Sequence, residues 1–250
     1  MQEISAQQTK KSPKQEKTVY RPQGIKSRLP VNRPVLIAVA NALIKGFLAG
    51  FMVSVGGTVY LSTDSRYLGA AMFCIGLFVI FSYGFDLYTG KIGYCVVQNK
   101  TQNLLLIPVW FGNLCGALFV GSILRFTRIY EKIYSRADDL CASKLADNAF
   151  SILLLSFFCG LLMFIAADGF KNAANTAQKY LSVLLPVMVF ILCGFEHCVA
   201  NMYYFTVAQC WGFKTVWYLI IMTAGNSLGG VLIPLCHKAI HAIRGLGQGE

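Results

Sequence analysis

The chain has 250 residues, of which 56% are hydrophobic and only 13% charged, and its mean hydropathy is positive. A soluble domain of this length needs far more charge to cover itself, which excludes an ordinary soluble fold and points to an all-α membrane protein. The net charge of +11 would suit a nucleic-acid binder, but its distribution along the chain follows membrane topology instead, so no nucleic-acid partner is expected.

The first 34 residues are polar and Lys-rich and contain Pro13, Pro22, Pro30 and Pro34. They lack the apolar centre of a cleavable signal peptide, so 1–34 reads as a basic, flexible cytoplasmic tail that helps set topology. Six apolar runs follow, at about Val35–Leu61, Leu68–Phe85, Leu104–Phe126, Ala149–Ala167, Leu181–Phe205 and Val216–Ile240. Each is near the roughly 20 residues that cross a bilayer. Residues 35–241 therefore read as one six-span transmembrane domain, and 242–250 as a short second tail.

Six spans place both termini on one side. That side receives 13 Lys/Arg, eight of them in residues 1–34; the other receives seven, from Arg66, Arg125, Arg128, Lys132, Arg136, Lys144 and Lys214. The excess assigns both termini to the cytoplasm, in the cytoplasmic (inner or plasma) membrane. The segment Arg125–Lys144 is expected to be a basic external loop. Eight of the nine cysteines sit in or beside apolar runs, and only Cys141 falls in that loop. With no C-x-x-C spacing they read as small packing residues rather than a metal or disulfide framework.

Glycines spaced by four or five residues in the first span (Gly46, Gly50, Gly56, Gly57) and the third (Gly112, Gly116, Gly121) suit close helix packing. Gly84, Gly90 and Gly194 differ, because they flank acids and hydroxyls. Gly84-Phe85-Asp86-Leu87-Tyr88-Thr89-Gly90-Lys91 and Gly194-Phe195-Glu196-His197-Cys198-Val199-Ala200-Asn201 lie 110 positions apart, each deep in an apolar run. Matching interruptions in the two halves are the mark of an inverted 3+3 repeat whose second and fifth helices break at a central site. Irregular backbone at that depth survives only inside protein or beside a cavity.

Asp86 and Glu196 are costly there and need a cation, a backbone nest or a restarted helix to hold them. Helix capping is the ordinary explanation for both. His197 is the one histidine away from the C-terminal end, where His237 and His241 are expected at the interface. An apolar-face histidine is most often a satisfied structural residue. Its place in the repeated break makes it a candidate to offer an N–H or a proton to a passing anion. The sequence carries no phosphate loop, nucleophile elbow, H-E-x-x-H or nucleotide-binding domain, which argues against an enzyme, a cofactor, a metal or ATP-driven transport.

At these residues the chain resembles the formate/nitrite transporter family. The resemblance covers roughly Ala38–Gly230. Gly194-Phe195-Glu196-His197 with Val199-Ala200-Asn201-Met202 is close to the family's G-F-E-H-x-V-A-N-M string. Asp86-Leu87-Tyr88-Thr89-Gly90 matches its [ED]-L-[FY]-T-[GS] loop, and Gly225-Asn226-Ser227-Leu228-Gly229-Gly230 its G-N-x-x-G-G. The resemblance implies an aquaporin-like six-span protomer assembled as a homopentamer, one pore to each protomer. It implies a central pair of Thr89 and His197, hydrophobic slits of Phe73, Leu77 and Phe190 together with Leu87 and Tyr88, and an electrostatic role for Lys144 through Glu196. Asn201 and Asn226 would brace the broken helices.

Two departures stand out. Gly160 follows Cys159 where many members have Asn, and Lys91 stands where Asn or another small polar residue is common. Lys91 either pairs with an acid such as Asp86 or adds a charge that changes selectivity. The expected function is a channel or facilitator for small monovalent weak-acid anions (formate, nitrite or hydrosulfide) and their protons across a lipid bilayer. A strictly proton-coupled symporter, a neutral-solute pore and a closed membrane scaffold are the alternatives.

Overall fold

A computed structural model describes residues 33–246, so the tail expected over 1–34 lies almost wholly outside the described residues, as do 247–250. All regular structure in the described residues is helical. The first half comprises α1 (Arg33–Ser62), α2 (Arg66–Tyr83), the short α3 (Tyr88–Lys91) with a 3-10 turn over Ile92–Val96, α4 (Lys100–Leu104) and α5 (Leu106–Ile123). After α6 (Tyr130–Ala146) the second half comprises α7 (Ala149–Lys171), α8 (Thr176–Leu192), α9 (Cys198–Val207) and α10 (Phe213–Leu246).

Five helical stretches are long and apolar enough to cross a membrane, while α8 is shorter and is completed beyond its break by α9. These make the six spans, and three spans per half turn the second half over relative to the first. α10 continues to Leu246, past the boundary expected at 241.

The break is written the same way twice. α2 ends on Gly84 and α8 on Cys193-Gly194, and both glycines have φ of 68°, the left-handed region that costs glycine nothing. The next residue then reaches back: Phe85 N–H donates to the Ile80 carbonyl and Phe195 N–H to the Phe190 carbonyl, each at 2.9 Å. This is the C-terminal closure that satisfies a helix's last carbonyls and releases the chain into a new direction.

The halves also pack alike. α5 crosses α1 where Gly46 and Gly50 face Gly112 and Gly116, and α10 crosses α7 at Gly160, Gly225 and Gly229. A Cβ on Gly50 would run into the Asn113 carbonyl, and one on Gly160 into the Asn226 carbonyl. Position 160 thus sets a helix crossing, and a larger side chain there would have to push α10 away.

The segment expected to form an external loop is not a loop. Tyr130–Ala146 is a helix whose buried face is Ile133, Ala137 and Cys141, one residue per turn. Cys141 is therefore buried on a helix, correcting its expected place in a loop. α6 packs along α9 and is tied to the turn before α2 by Arg136, which donates to the Leu61 carbonyl at 3.1 Å and pairs with Asp64. Hydrogen bonds from Lys132 and then Arg136 hold the Asp64 carboxyl below the usual carboxylate range.

Candidate functional site

Each break is pinned by one asparagine from the last span of its half. Asn113 Oδ1 accepts from Tyr88 N–H at 2.9 Å, while its Nδ2 donates to the carbonyls of Gly46 at 2.8 Å and Asp86 at 2.9 Å. Asn226 repeats the pattern: Oδ1 accepts from Cys198 N–H at 2.8 Å, and Nδ2 donates to Ser156 O at 2.7 Å and Glu196 O at 2.8 Å. A further backbone tie completes each set, Asp86 N–H to Lys45 O and Glu196 N–H to Leu155 O, both 3.3 Å. A helix interruption inside a membrane strands polar backbone, and one amide side chain with two donors and an acceptor restores most of it.

Sequence reasoning named Asn226 and passed over Asn113. The signal was available: Gly112-Asn113-x-x-Gly116 repeats Gly225-Asn226-x-x-Gly229.

Pinned in this way, the breaks bring Thr89 and His197 together. Thr89 Oγ1 lies 2.7 Å from His197 Nε2, and both residues are buried. His197 caps α9, its Nδ1 accepting from Ala200 N–H at 3.1 Å. With Nδ1 committed as an acceptor, the neutral ring carries its hydrogen on Nε2 and donates to Thr89 Oγ1. The Thr89 hydroxyl hydrogen is then left over, and no other partner for it occurs among the described residues.

Of the residues expected to form slits, Phe73, Leu77, Leu87 and Phe190 are buried and Tyr88 is half-buried. Phe190 lies 5.8 Å from the His197 ring and meets Phe73 edge-on at 5.7 Å. Leu77 is buried one turn along α2 from Phe73, and Leu87 is buried on the other side of the break. Tyr88 is held at both ends: its hydroxyl hydrogen-bonds Ser227 Oγ on α10 at 2.8 Å, and its N–H donates to Asn113 Oδ1.

The two acids are held differently. Glu196 Oε2 accepts from Lys144 Nζ at 2.6 Å and from Asn201 Nδ2 at 2.8 Å, with the paired side chains only 4% and 10% exposed. Asn201 Nδ2 also donates to the His197 carbonyl at 3.0 Å. Asp86 instead takes its partner from its own restart helix, Lys91 Nζ at 2.7 Å, with the lysine side chain 44% exposed. Lys91 thus does alone what Asn201 and Lys144 do together in the other half.

A cavity of 610 Å³ opens on the Lys91 side and ends at Leu87 and Gly90; Lys45, Lys91, Lys171 and Lys179 line it. On the opposite face, a 390 Å³ cavity has Arg66 and Arg136 balanced by Asp64 and Asp139. Among the described residues, the first of these two cavities is strongly basic and the second is balanced. No cluster of His, Cys, Asp and Glu suited to a metal occurs among the described residues.

The sequence matches the family profile described as formate/nitrite transporter over residues 32–239. The chain belongs to the formate/nitrite transporter family. Within it, the chain is 25% identical over 237 residues to a formate-nitrite transporter of Plasmodium knowlesi, covering 81% of this chain and 76% of that one. It is 22% identical over 253 residues to the formate channel FocB of Escherichia coli, covering 81% and 89%. Among solved structures it superposes on a pentameric formate channel with formate bound, with a TM-score of 0.68 and 22% identity over 82% of this chain and 98% of that one. As a formate/nitrite transporter family member it is a multi-pass membrane transport protein and not an enzyme.

Proposed function

We propose that this protein is a channel or facilitator for small monovalent weak-acid anions (formate, nitrite or hydrosulfide), working as a homopentamer in the cytoplasmic membrane with both termini inside. The observation that carries the reading is the buried Thr89–His197 pair, hydrogen-bonded at 2.7 Å, with the Phe190 ring 5.8 Å from the imidazole. The pentamer rests on the likeness to a solved pentameric formate channel.

The chemistry follows from the hydrogen-bond count. An anion moving past Leu87 or Phe73 loses its water, at a cost of several kcal/mol. The unpaired Thr89 hydroxyl hydrogen offers it one strong donor at the centre. The His197 Nε2–H, already aimed at the same spot, offers a second donor or, once the ring has taken up a proton from water to become imidazolium, a transferable proton whose loss returns it to the neutral ring; a solute that leaves as the neutral acid escapes most of the charge penalty. Glu196, neutralised by Lys144, fixes Asn201 and through it the His197 carbonyl, so the ring's position depends on that pair. The lysine-lined mouth raises anion concentration at the entrance.

The test is transport of formate, nitrite and hydrosulfide into proteoliposomes. Wild type is expected to pass at least one of them, and Thr89→Val, which keeps the shape and removes the donor, to slow it by about tenfold or more. Equal rates in the two proteins would contradict the assignment.

A further inference from the structure

Four lysines line the 610 Å³ basin below Leu87, and among the described residues of its wall Asp86 is the one carboxylate. A second cavity of 300 Å³ shares Lys45, Asp86, Lys91 and Gln98 and extends the basin toward α1 and α5. Three of the ammonium groups have defined seats. Lys91 lies 2.7 Å from Asp86, Lys171 lies 4.7 Å over the Tyr94 ring, and Lys179 lies 4.4 Å over the Phe170 ring. Both rings belong to the basin wall. An aromatic face holds a cation without cancelling its charge, so two full charges remain on offer. Asp168, which accepts from the Tyr94 hydroxyl at 2.9 Å, belongs to a separate cavity with His237, Lys238 and His241.

This is more charge and more room than a single formate or nitrite requires. The volume falls within the roughly 300–1,000 Å³ of small-molecule sites. Accumulation in a positive cleft rises exponentially with the charge of the anion. A potential that concentrates a monovalent anion about tenfold concentrates a divalent one about a hundredfold. The charging cost of entering the apolar constriction rises with the square of that charge, so a polyvalent anion is drawn in and stopped.

We infer that the lysine basin is a binding site for polyvalent phosphate-type anions, which dock between Lys171, Lys179 and Lys45, do not pass Leu87, and obstruct the pathway from that side. The obstruction rests on the function proposed above; the binding does not.

The probe is inorganic pyrophosphate, with Lys171→Gln/Lys179→Gln as the variant, since both lysines are exposed and their ring contacts are with Tyr94 and Phe170 in the basin wall. Calorimetric titration of the purified full-length protein is expected to show binding that weakens steeply as salt rises from about 0.05 to about 0.2 M. The double variant is expected to weaken it about tenfold or more. In proteoliposomes, pyrophosphate is expected to inhibit formate entry well beyond chloride at matched ionic strength. Each protein is compared with its own uninhibited rate, and the variant's inhibition is expected to need about tenfold more pyrophosphate. Vesicles of phosphatidylcholine alone and with phosphatidylglycerol separate a soluble anion from a lipid headgroup. Inhibition by pyrophosphate in the first supports the soluble ligand; inhibition that follows phosphatidylglycerol with pyrophosphate inert overturns it. Equal binding by wild type and variant overturns the site, and binding without inhibition overturns the obstruction. If wild type carries no formate at all, the titration still decides the site while the failure falls on the proposed transport function.

Discussion

Lys144 and Glu196 form the most consequential pair outside the centre. Both are nearly buried and 2.6 Å apart, so removing one partner leaves an uncompensated charge inside the protein. Lys144→Met is expected to cost about 3–5 kcal/mol of stability, read as a large fall in melting temperature in detergent, with Lys144→Arg retaining most of it. A melting temperature unchanged in Lys144→Met would mean that Glu196 is not charged in the folded protein. Lys91→Asn is expected to be far milder, because its side chain is 44% exposed and Asp86 keeps the basin's water. Its readout is the ranking of formate, nitrite and hydrosulfide fluxes. At this scale much was legible in the sequence, since Thr89, Glu196 and His197 lie in strings where polar residues interrupt an apolar run, whereas Lys144 was named from the resemblance. That Thr89 and His197 meet was expected from a resemblance and not from spacing: they are 108 residues apart, and only the paired breaks bring them together. Tyr88 shows the limit. The string places it beside Leu87, but which way a restarted helix turns its first side chain depends on Ser227 and Asn113, far away in the chain.

The elements that matter most are the two restarts, and they are unequal. α9 has ten residues, all buried, whereas α3 has four and continues as a 3-10 turn. One asparagine pins each, so the substitutions Asn113→Ala and Asn226→Ala test the symmetry directly. Each strands three polar backbone groups, at about 1–3 kcal/mol for a buried group left unpaired. Both variants are expected to lose thermal stability. The shorter restart at Asn113 is expected to lose its transport first, measured as flux in protein that still elutes as a folded assembly. Loss confined to Asn226→Ala would contradict the equivalence. α6 marks what element-level reading missed. Its charges suggested a solvated loop, yet the one-per-turn series Ile133, Ala137 and Cys141 was present, and that series buries the helix against α9 and carries Lys144 to Glu196. Gly160 is the converse case, a departure that looked like a lost polar group and is a point of close approach between α7 and α10.

For the whole molecule, the repeat explains why so apolar a chain contains a polar centre: each half supplies one break, one pinning asparagine and one neutralised acid. Among the described residues the two cavities differ, one lined by four lysines and the other by balanced charges. Transport driven from the lysine face is expected to fall more steeply with salt than transport from the opposite face, measured as initial rates in oriented vesicles at low and high ionic strength. Equal salt dependence on both faces would remove the basin from the account of anion entry. The span count was legible from composition, while the orientation read from the charge bias belongs to the proposal. The asymmetry of the cavities was not legible, because Lys45, Lys91, Lys171 and Lys179 come from four separate segments that only the packed helices gather.

The most direct test of the central claim is formate, nitrite and hydrosulfide flux into proteoliposomes bearing wild type or His197→Phe, at about pH 5.5 and about pH 7.5, which differ in the supply of neutral weak acid in solution. Saturable or conductive flux of at least one anion, faster at the acid pH and reduced about tenfold or more in the variant, is the predicted result. Flux and pH dependence left unchanged by His197→Phe in folded protein would contradict it.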